Sequence, residues 1–182
     1  GEIDEAQFRY SPVAKRRGGG DPGDVANVAR TLLRARRPVI YAGQGVLYAE
    51  ATAELVELAE LLNAPVMTTT LGKSGFPENH PLSLGTGGNS GTKAVGVFLR
   101  RADVVFGIGT SFQKTLASAP VPAGKVIIQS TVDEADLNGD RVAGALLQQE
   151  HTLLKKAIRF SSERRKRSSR SLTASGERTP CR

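Results

Sequence analysis

The sequence is poor in the side chains that build disulfides, metal sites and covalent catalysts. Its 182 residues include one cysteine, two histidines and no tryptophan. The cysteine is Cys181, so no disulfide can form within the chain, and we expect a reducing compartment, the cytoplasm or an organelle of a eukaryote. His80 and His151 stand in no pattern that orients a nucleophile or completes a metal site. These absences disfavour a self-contained hydrolase or metalloenzyme.

Long hydrophobic runs are also absent. No apolar stretch approaches the roughly 18 residues that a membrane helix needs, so we expect no membrane partner. Residues 1–10 are mixed and polar, which predicts no signal peptide. Hydrophobic residues make up 39% of the chain and charged residues 24%. This balance is typical of one soluble domain with a sizeable core.

The formal charge of +7 is concentrated near the C-terminus. Residues 155–182 contain ten basic and two acidic side chains, so the rest of the chain is close to neutral. Residues 161–182 have few large apolar side chains and are predicted to be a basic disordered tail. No aromatic side chains are interleaved there, so we expect only non-specific contacts with nucleic acid. Residues 1–20, which end in three glycines, are predicted to be a linker or arm.

Between these ends, short apolar runs alternate with amphipathic segments. Asp21-Pro22 predicts a helix start, and a second helix is predicted over 50–62 and a third over 92–101. Residues 71–91 are predicted to be a loop, because they contain six glycines and two prolines. The alternation predicts an α/β domain over 21–160, a parallel sheet between two layers of helices. Predicted strands cover 38–42, 66–69, 104–108, 125–129 and 142–147, and a short helical turn is predicted over 133–137.

Two glycine motifs have alternative interpretations. Gly43-Gln44-Gly45 follows a predicted strand like the start of a dinucleotide-binding fingerprint, but Tyr48 replaces the third glycine. It is therefore either a simple strand-to-helix turn or a turn that contacts a nucleotide. Gly72-Lys73-Ser74 resembles the end of a phosphate-binding P-loop, but Met67 stands where the motif needs glycine. We interpret that segment as an ordinary loop.

Several segments in order resemble the central domain of thiamine-diphosphate enzymes of the acetolactate synthase type. The resemblance runs from about Asp21 to about Leu147 and implies a Rossmann-like fold with about six parallel strands. The segments are Arg37 to Val46, Asn63 to Val66 with Thr68-Thr69, Leu71 to Glu78, His80 to Leu82, the glycine turn Gly85 to Gly87, Ala102 to Thr110 and Thr131 to Asn138.

The resemblance also implies what lies outside this chain. In the family, thiamine diphosphate is held between a pyrimidine-binding domain with a glutamate and a diphosphate-binding domain with a Gly-Asp-Gly…Asn-Asn motif and magnesium. Here Gly-Asp occurs before Pro22, Val25 and Arg141 and never before a glycine, and no two asparagines are adjacent. We therefore expect no catalytic residue in this chain. Its implied partners are those two domains, in a homo-oligomeric transferase or lyase that acts on 2-keto acids.

The family's central domain binds FAD, ADP or nothing, and the resemblance assigns a cofactor site to the matching positions. Where FAD-binding members have an arginine, this chain has Thr110. ADP is therefore at least as well supported as FAD, and an empty site is the third alternative. A stand-alone nucleotide-binding module of similar fold is the alternative function. The assigned positions are Gly43, Gln44, Gly45, Thr68, Thr69, Leu71, Gly85, Gly87, Gly109 and Asp133.

Overall fold

A computed structural model describes residues 21–88, 91–113, 118–132, 136 and 145–148. Within these ranges no helix is long and apolar enough to cross a membrane. The predicted arm, the tail and most of the predicted helical turn at 133–137 lie outside them. The helices are α1 (Pro22–Arg34), α2 (Gly45–Tyr48), α3 (Thr52–Leu62) and α4 (Lys93–Arg101), and the strands are β1 (Pro38–Ala42), β2 (Val66–Thr68), β3 (Ser83–Thr86), β4 (Val104–Ile108), β5 (Val126–Thr131) and β6 (Ala145–Gln148).

The six strands form one sheet in the order β3-β2-β1-β4-β5-β6. Every neighbouring pair is parallel, from β2 with β3 at one side to β5 with β6 at the other. The predicted three-layer α/β fold with a parallel, Rossmann-like sheet is confirmed. The strand order reverses between β1 and β4, and such sheets open a ligand crevice at the carboxyl ends of the strands there.

Apolar side chains cover both faces of the sheet, because β1 and β4 are buried along their whole lengths. Ile40 and Phe106 point to the face covered by α1 and α3. Val39 and Val105 point to the opposite face, where α4 and residues 119–121 pack. Strands buried on two sides have near-continuous apolar sequences, and these apolar runs are what identified them in the sequence. The helices contribute Val25, Val28, Leu32, Leu55, Leu58, Ala59, Val95 and Leu99 to these two cores.

Strand β3 lies inside the segment predicted to be a loop, and that prediction was wrong there. Its sequence is short and only partly buried, so it has none of the pattern of the central strands. The register with β2 shifts between Val66 and Met67, and Gly85 has a φ of +78°. This conformation suits glycine and marks a bulge. Other predicted bounds shift by a few residues: the first glycine turn continues into α2, the second predicted helix begins at Thr52, and the strand predicted over 125–129 is β5 over 126–131.

At the amino ends of the strands, Asp103 connects the loop before β4 to the loop before β1. Its carboxylate accepts hydrogen bonds from the backbone N–H groups of Arg36 (2.8 Å) and Arg37 (3.0 Å). Partial burial raises the pKa of this carboxyl, but the backbone hydrogen bonds outweigh it and hold the pKa below its ordinary value. Lys125 reinforces the same edge, since its Nζ donates to the carbonyls of Arg100 (3.0 Å) and Ala102 (2.7 Å).

Replacing Asp103 with asparagine should lower the free energy of unfolding at neutral pH by about 1 kcal/mol, because one acceptor oxygen and the charge are lost. A depressed pKa in the folded state gives stability that is present above the ordinary pKa and lost as the pH falls through the folded value. The difference between the two proteins should therefore shrink in acid. Urea unfolding at neutral pH and near pH 3 measures it, with the exposed Glu57→Gln as control. A pH-independent difference would contradict this assignment.

Candidate functional site at the carboxyl edge

The turns after β1 and β4 interlock at the point where the strand order reverses. The Gly43 N–H donates to the carbonyl of Ile108 (2.8 Å), and the Gly45 N–H donates to that of Gly109 (3.2 Å). A Cβ on Gly43 would overlap the Gly109 carbonyl and lie 2.8 Å from the Cβ of Thr110. Gly109 has a φ of +65°, and a Cβ there would lie 2.8 Å from the Cα of Gly45. Both turns therefore need glycine so that their backbones can touch.

The turn after β2 packs against the first turn from the other side. The Thr69 N–H donates to the carbonyl of Ala42 (2.8 Å), which carries the β1–β2 pairing past the strand ends. A Cβ on Gly72 would lie 2.7 Å from the carbonyl carbon of Gly43. The structure thus brings together three glycine-bearing turns, those at 43–45, 69–72 and 109–110.

Most of the glycine amides in these turns are already used within the protein. The N–H of Gly72 donates to Thr69, that of Gly87 to the Thr68 carbonyl (2.8 Å) and that of Gly109 to the Ser130 carbonyl (2.9 Å). The N–H groups of Gly72, Gly87 and Gly109 therefore already have acceptors within the protein. Within the described ranges, the N–H groups of Gln44 and Leu71 have no acceptor.

The exposed side chains at this edge include those of Leu71 and Gln44. The Leu71 side chain is 72% exposed, although leucine is usually buried. Gln44 is exposed at the start of α2. Together with their amides, these residues form the accessible rim of the three turns.

The threonine hydroxyls predicted to face a ligand have partners in the protein. Thr68 is buried, and its Oγ1 lies 3.3 Å from the Oγ1 of Thr86 on β3. Thr69 is partly exposed, and its Oγ1 accepts the Gly72 N–H at 2.8 Å, which fixes the turn. Of the two, Thr69 is the one whose hydroxyl proton remains available at the rim.

The other assigned positions divide between strand and turn. Gly85 lies in β3 at the bulge, so it belongs to the strand and not to a turn. Gly87 follows β3 and is buried, and a Cβ there would overlap the Cε of Met67. Both glycines are explained by packing. Asp133 lies outside the described residues.

Sequence reasoning missed the side chains that support the turn after β4. Phe112 is buried with a φ of +55°, and its ring contacts Tyr41 edge-to-face at 5.6 Å between centroids. A Cβ on Gly107 would overlap the Phe112 ring. The amide nitrogen of Gln129, which is 2% exposed, donates to the carbonyl of Thr110 (3.2 Å). A glycine inside an otherwise branched strand is the signal that could have indicated this close approach.

The groups described at this edge suit ligand binding. Within the described ranges, no group of histidine, cysteine, aspartate or glutamate side chains could hold a metal ion. The salt bridge close to the rim, Lys73 with Glu78 at 3.7 Å, has both side chains more than half exposed, so it contributes little to stability. Backbone amides and an apolar side chain can hold a phosphate-bearing ligand.

A doubly wound parallel sheet with glycine turns at its switch point defines the class of Rossmann-like α/β domains. Within this class, the model of the thiamine pyrophosphate enzyme central domain matches residues 25–156. The chain belongs to this family, as its sequence segments predicted.

Curated relatives agree with the family. The chain is 40% identical over 117 residues to the probable acetolactate synthase large subunit of Methanocaldococcus jannaschii. The aligned region covers 62% of this chain and 20% of that protein. It is 38% identical over 122 residues to the acetolactate synthase of Mycobacterium bovis. That alignment covers 65% of this chain and 20% of the relative. The chain thus spans about a fifth of the length of these relatives.

A solved structure shows the same likeness in three dimensions. Benzoylformate decarboxylase from Polynucleobacter necessarius superposes with a TM-score of 0.68 at 25% identity. The match covers 87% of this chain and 30% of that protein. The partial coverage agrees with the expectation of a domain that is not catalytic alone.

Replacing Gly43 with alanine should lower the free energy of unfolding by about 3 kcal/mol or more, because the new methyl group overlaps backbone that cannot move independently. The matched control is Gly124→Ala. Gly124 also has a positive φ (+79°), but nothing lies within 4 Å of its Cβ position, so only backbone strain of about 1 kcal/mol should remain. Chemical denaturation of both variants tests this. Equal losses would show that the turns do not interlock as described.

Proposed function

We propose that this chain is the central domain of a thiamine-diphosphate-dependent carboligase or decarboxylase acting on 2-keto acids. The observation that carries the proposal is the family match over residues 25–156, combined with a parallel sheet whose turns meet at the switch point. The named relatives are acetolactate synthases, which favours a carboligase, and the structural neighbour is a decarboxylase. Fold alone does not distinguish these activities.

In this proposal the chain supplies a scaffold, and two further domains supply the chemistry. The accessible rim offers amides and an apolar side chain, and the described residues contain no metal-binding cluster. The pyrimidine-binding and diphosphate-binding domains are the proposed partners, with magnesium and thiamine diphosphate held between them in a homo-oligomer. The cofactor, when bound there, supplies the carbanion chemistry, and this domain positions its neighbours.

The isolated chain should neither bind thiamine diphosphate nor decarboxylate pyruvate. Its sequence contains no Gly-Asp-Gly motif, and no acidic cluster on the described residues could hold the magnesium ion. Titration calorimetry with the cofactor and magnesium, followed by an assay of carbon dioxide release, measures both. Saturable micromolar binding would contradict the proposed division of labour. It would favour a self-sufficient cofactor-binding protein.

We also propose that the rim of the three turns binds the diphosphate of an ADP-like nucleotide or of FAD. The Gln44 and Leu71 amides are the donors that the protein leaves unused there, and the Thr69 hydroxyl is a third. Because these amides belong to two adjacent turns, they suit a diphosphate better than a single phosphate. The residue types at this rim therefore fit the nucleotide. Asp133, which follows β5 in sequence, is proposed to accept from a ribose hydroxyl.

Substituting Leu71 with glutamate should weaken ADP binding about tenfold, because it places a negative charge beside the proposed diphosphate. The matched control is Val126→Glu, which makes the same change at an exposed position, 46% accessible, at the opposite edge of the sheet. Val126→Glu should bind ADP like the unchanged protein. If both variants bind equally well, the nucleotide lies elsewhere.

Titrating FAD in parallel with ADP distinguishes the two proposed ligands. If the purified protein is yellow and releases flavin on denaturation, FAD is the bound nucleotide, despite Thr110 in place of an arginine. Binding of ADP to a colourless protein assigns the smaller ligand. Binding of either that survives Gly45→Leu unchanged would show that the first turn is only a turn.

A further inference from the structure

The amino edge of the sheet, opposite the rim of the three turns, carries a group of cations. Helices α1 and α4 both end there, before β1 and β4. Pro38, Val104 and Val126 pair side by side on three adjacent strands, so the residues that precede them also form a row. The cations of this row and of the neighbouring helix ends, named here the basic edge, are Arg34, Arg36, Arg37, Arg101 and Lys125.

Hydrogen bonds fix the loops of the basic edge to one another. The Asp103 carboxylate accepts the N–H groups of Arg36 and Arg37, and the Asp103 N–H donates to the carbonyl of Arg37 (3.3 Å). On the other side, the Val126 N–H donates to the carbonyl of Asp103 (3.0 Å). The backbone positions of these cations are therefore set by the sheet, and a partner would meet a preformed surface.

The four arginines of the basic edge are exposed, and no acidic side chain in the part of the chain that the structure describes pairs with them. The carboxylate between them, that of Asp103, is occupied by backbone amides. Glu60 in the last turn of α3 lies at the same edge of the sheet, but it pairs with His80 at 3.2 Å. Four guanidinium groups thus stand at one edge without a paired carboxylate.

Stabilisation of helix ends does not explain the whole set. A cation in a last turn complements the partial negative charge there, which accounts for Arg34 in α1. In α4 this role is already filled by Lys125, whose Nζ donates to two carbonyls at the helix end. Arg36 and Arg37 lie beyond α1, where they repel their neighbours of like charge. A bound anion would relieve that repulsion.

Two apolar side chains are exposed beside these cations. Val126 directly follows Lys125 and is 46% exposed. Phe98 is 43% exposed and precedes Arg101 by three residues, the spacing of neighbours on a helix surface. Arginines beside aromatic and aliphatic side chains are typical of surfaces that bind another polypeptide.

The charge of the domain does not favour nucleic acid as the partner. Residues 21–148 contain eleven basic and twelve acidic side chains, whereas domains that bind nucleic acid are strongly basic. Single-stranded nucleic acid is also held by stacking on successive aromatic side chains. Among the described residues of this edge, Phe98 is the one exposed aromatic side chain of that kind.

We propose that the basic edge binds an acidic segment of a partner polypeptide that also carries an apolar side chain. Carboxylates of the segment pair with the guanidinium groups of Arg36, Arg37 and Arg101, and its apolar side chain contacts Val126. The basic edge lies at the other end of the strands from the rim of the three turns, so the inference does not depend on the nucleotide proposal.

The test measures fluorescence anisotropy of a labelled peptide of glutamates with a central leucine, titrated with the full chain. The peptide should bind saturably, and more weakly as the salt concentration rises. Arg36→Gln combined with Arg37→Gln should weaken binding about tenfold, because charge-assisted contacts are lost. The backbone hydrogen bonds to Asp103 do not involve these side chains, and circular dichroism verifies the fold.

Two control pairs remove the same charge elsewhere. Arg30→Gln with Arg100→Gln changes exposed arginines outside the basic edge, since the Arg30 guanidinium bonds Asn27 and that of Arg100 lies back along α4. Arg164→Gln with Arg165→Gln removes two charges from the predicted basic tail. Both pairs should bind the peptide within twofold of the unchanged chain.

The apolar contact is tested with a second peptide, in which serine replaces the central leucine. Val126→Ser should weaken the leucine peptide about threefold, because a half-exposed valine contributes only part of its surface, and should leave the serine peptide unchanged. The proposal is overturned if the leucine peptide does not bind, or if either control pair weakens it as much as the Arg36 and Arg37 pair does. It is also overturned if that pair abolishes binding of duplex DNA or self-association of the chain and leaves the peptide unaffected.

Discussion

The contact of Gly43 with the carbonyl of Gly109 determines how the two halves of the sheet join. The chain leaves β1 for one side of the sheet and β4 for the other, so the turns at their carboxyl ends are neighbours that no strand separates. Hydrogen bonds from Gly43 and Gly45 to the β4 end, and from Gly109 to the β5 end, continue the ladder beyond the strands. The crevice at this edge is therefore built from fixed backbone.

This rigidity limits what the edge can offer a ligand. A turn whose amides are satisfied within the protein cannot turn them outward without losing hydrogen bonds in its core. The donors that remain, at Gln44 and Leu71, belong to the first and second turns. Phe112 and Gln129 support the turn after β4. The Phe112 ring packs against Tyr41, and the Gln129 side chain donates to the carbonyl of Thr110. The ligand's phosphates would meet a few fixed donors instead of a flexible loop, which lowers the ordering cost of binding.

The central strands were predictable because burial on both faces leaves a direct record in the sequence. The runs at 38–42 and 104–108 have no charged residue, so they can be identified as strands without knowing which strands they pair with. Strand β3 left no such record, since Ser83 to Thr86 is short, half-exposed and interrupted by a bulged glycine. What makes it a strand is the edge of β2, and pairing between residues 17 or 18 positions apart is not encoded in local periodicity. Gly43, Gly87 and Gly109 lie outside helices and strands, as predicted, whereas Gly45 begins α2 and Gly85 lies in β3. The role of these glycines was not predictable. A glycine needed for contact with another turn and one needed for contact with a ligand look the same in one sequence.

This distinction bears on the nucleotide proposed for this edge, ADP or FAD. If the glycines at 43, 72 and 109 serve the contacts between turns, they are required whatever is bound, and they carry no information about the ligand. Ligand identity must then depend on the residues that the packing leaves free. In this chain these are the exposed Gln44 and Leu71 and the partly exposed Thr69, whose hydroxyl also fixes the turn after β2. The glycines thus serve the contacts between the turns, and the more exposed residues at the same edge are the ones that the proposed ligand would meet.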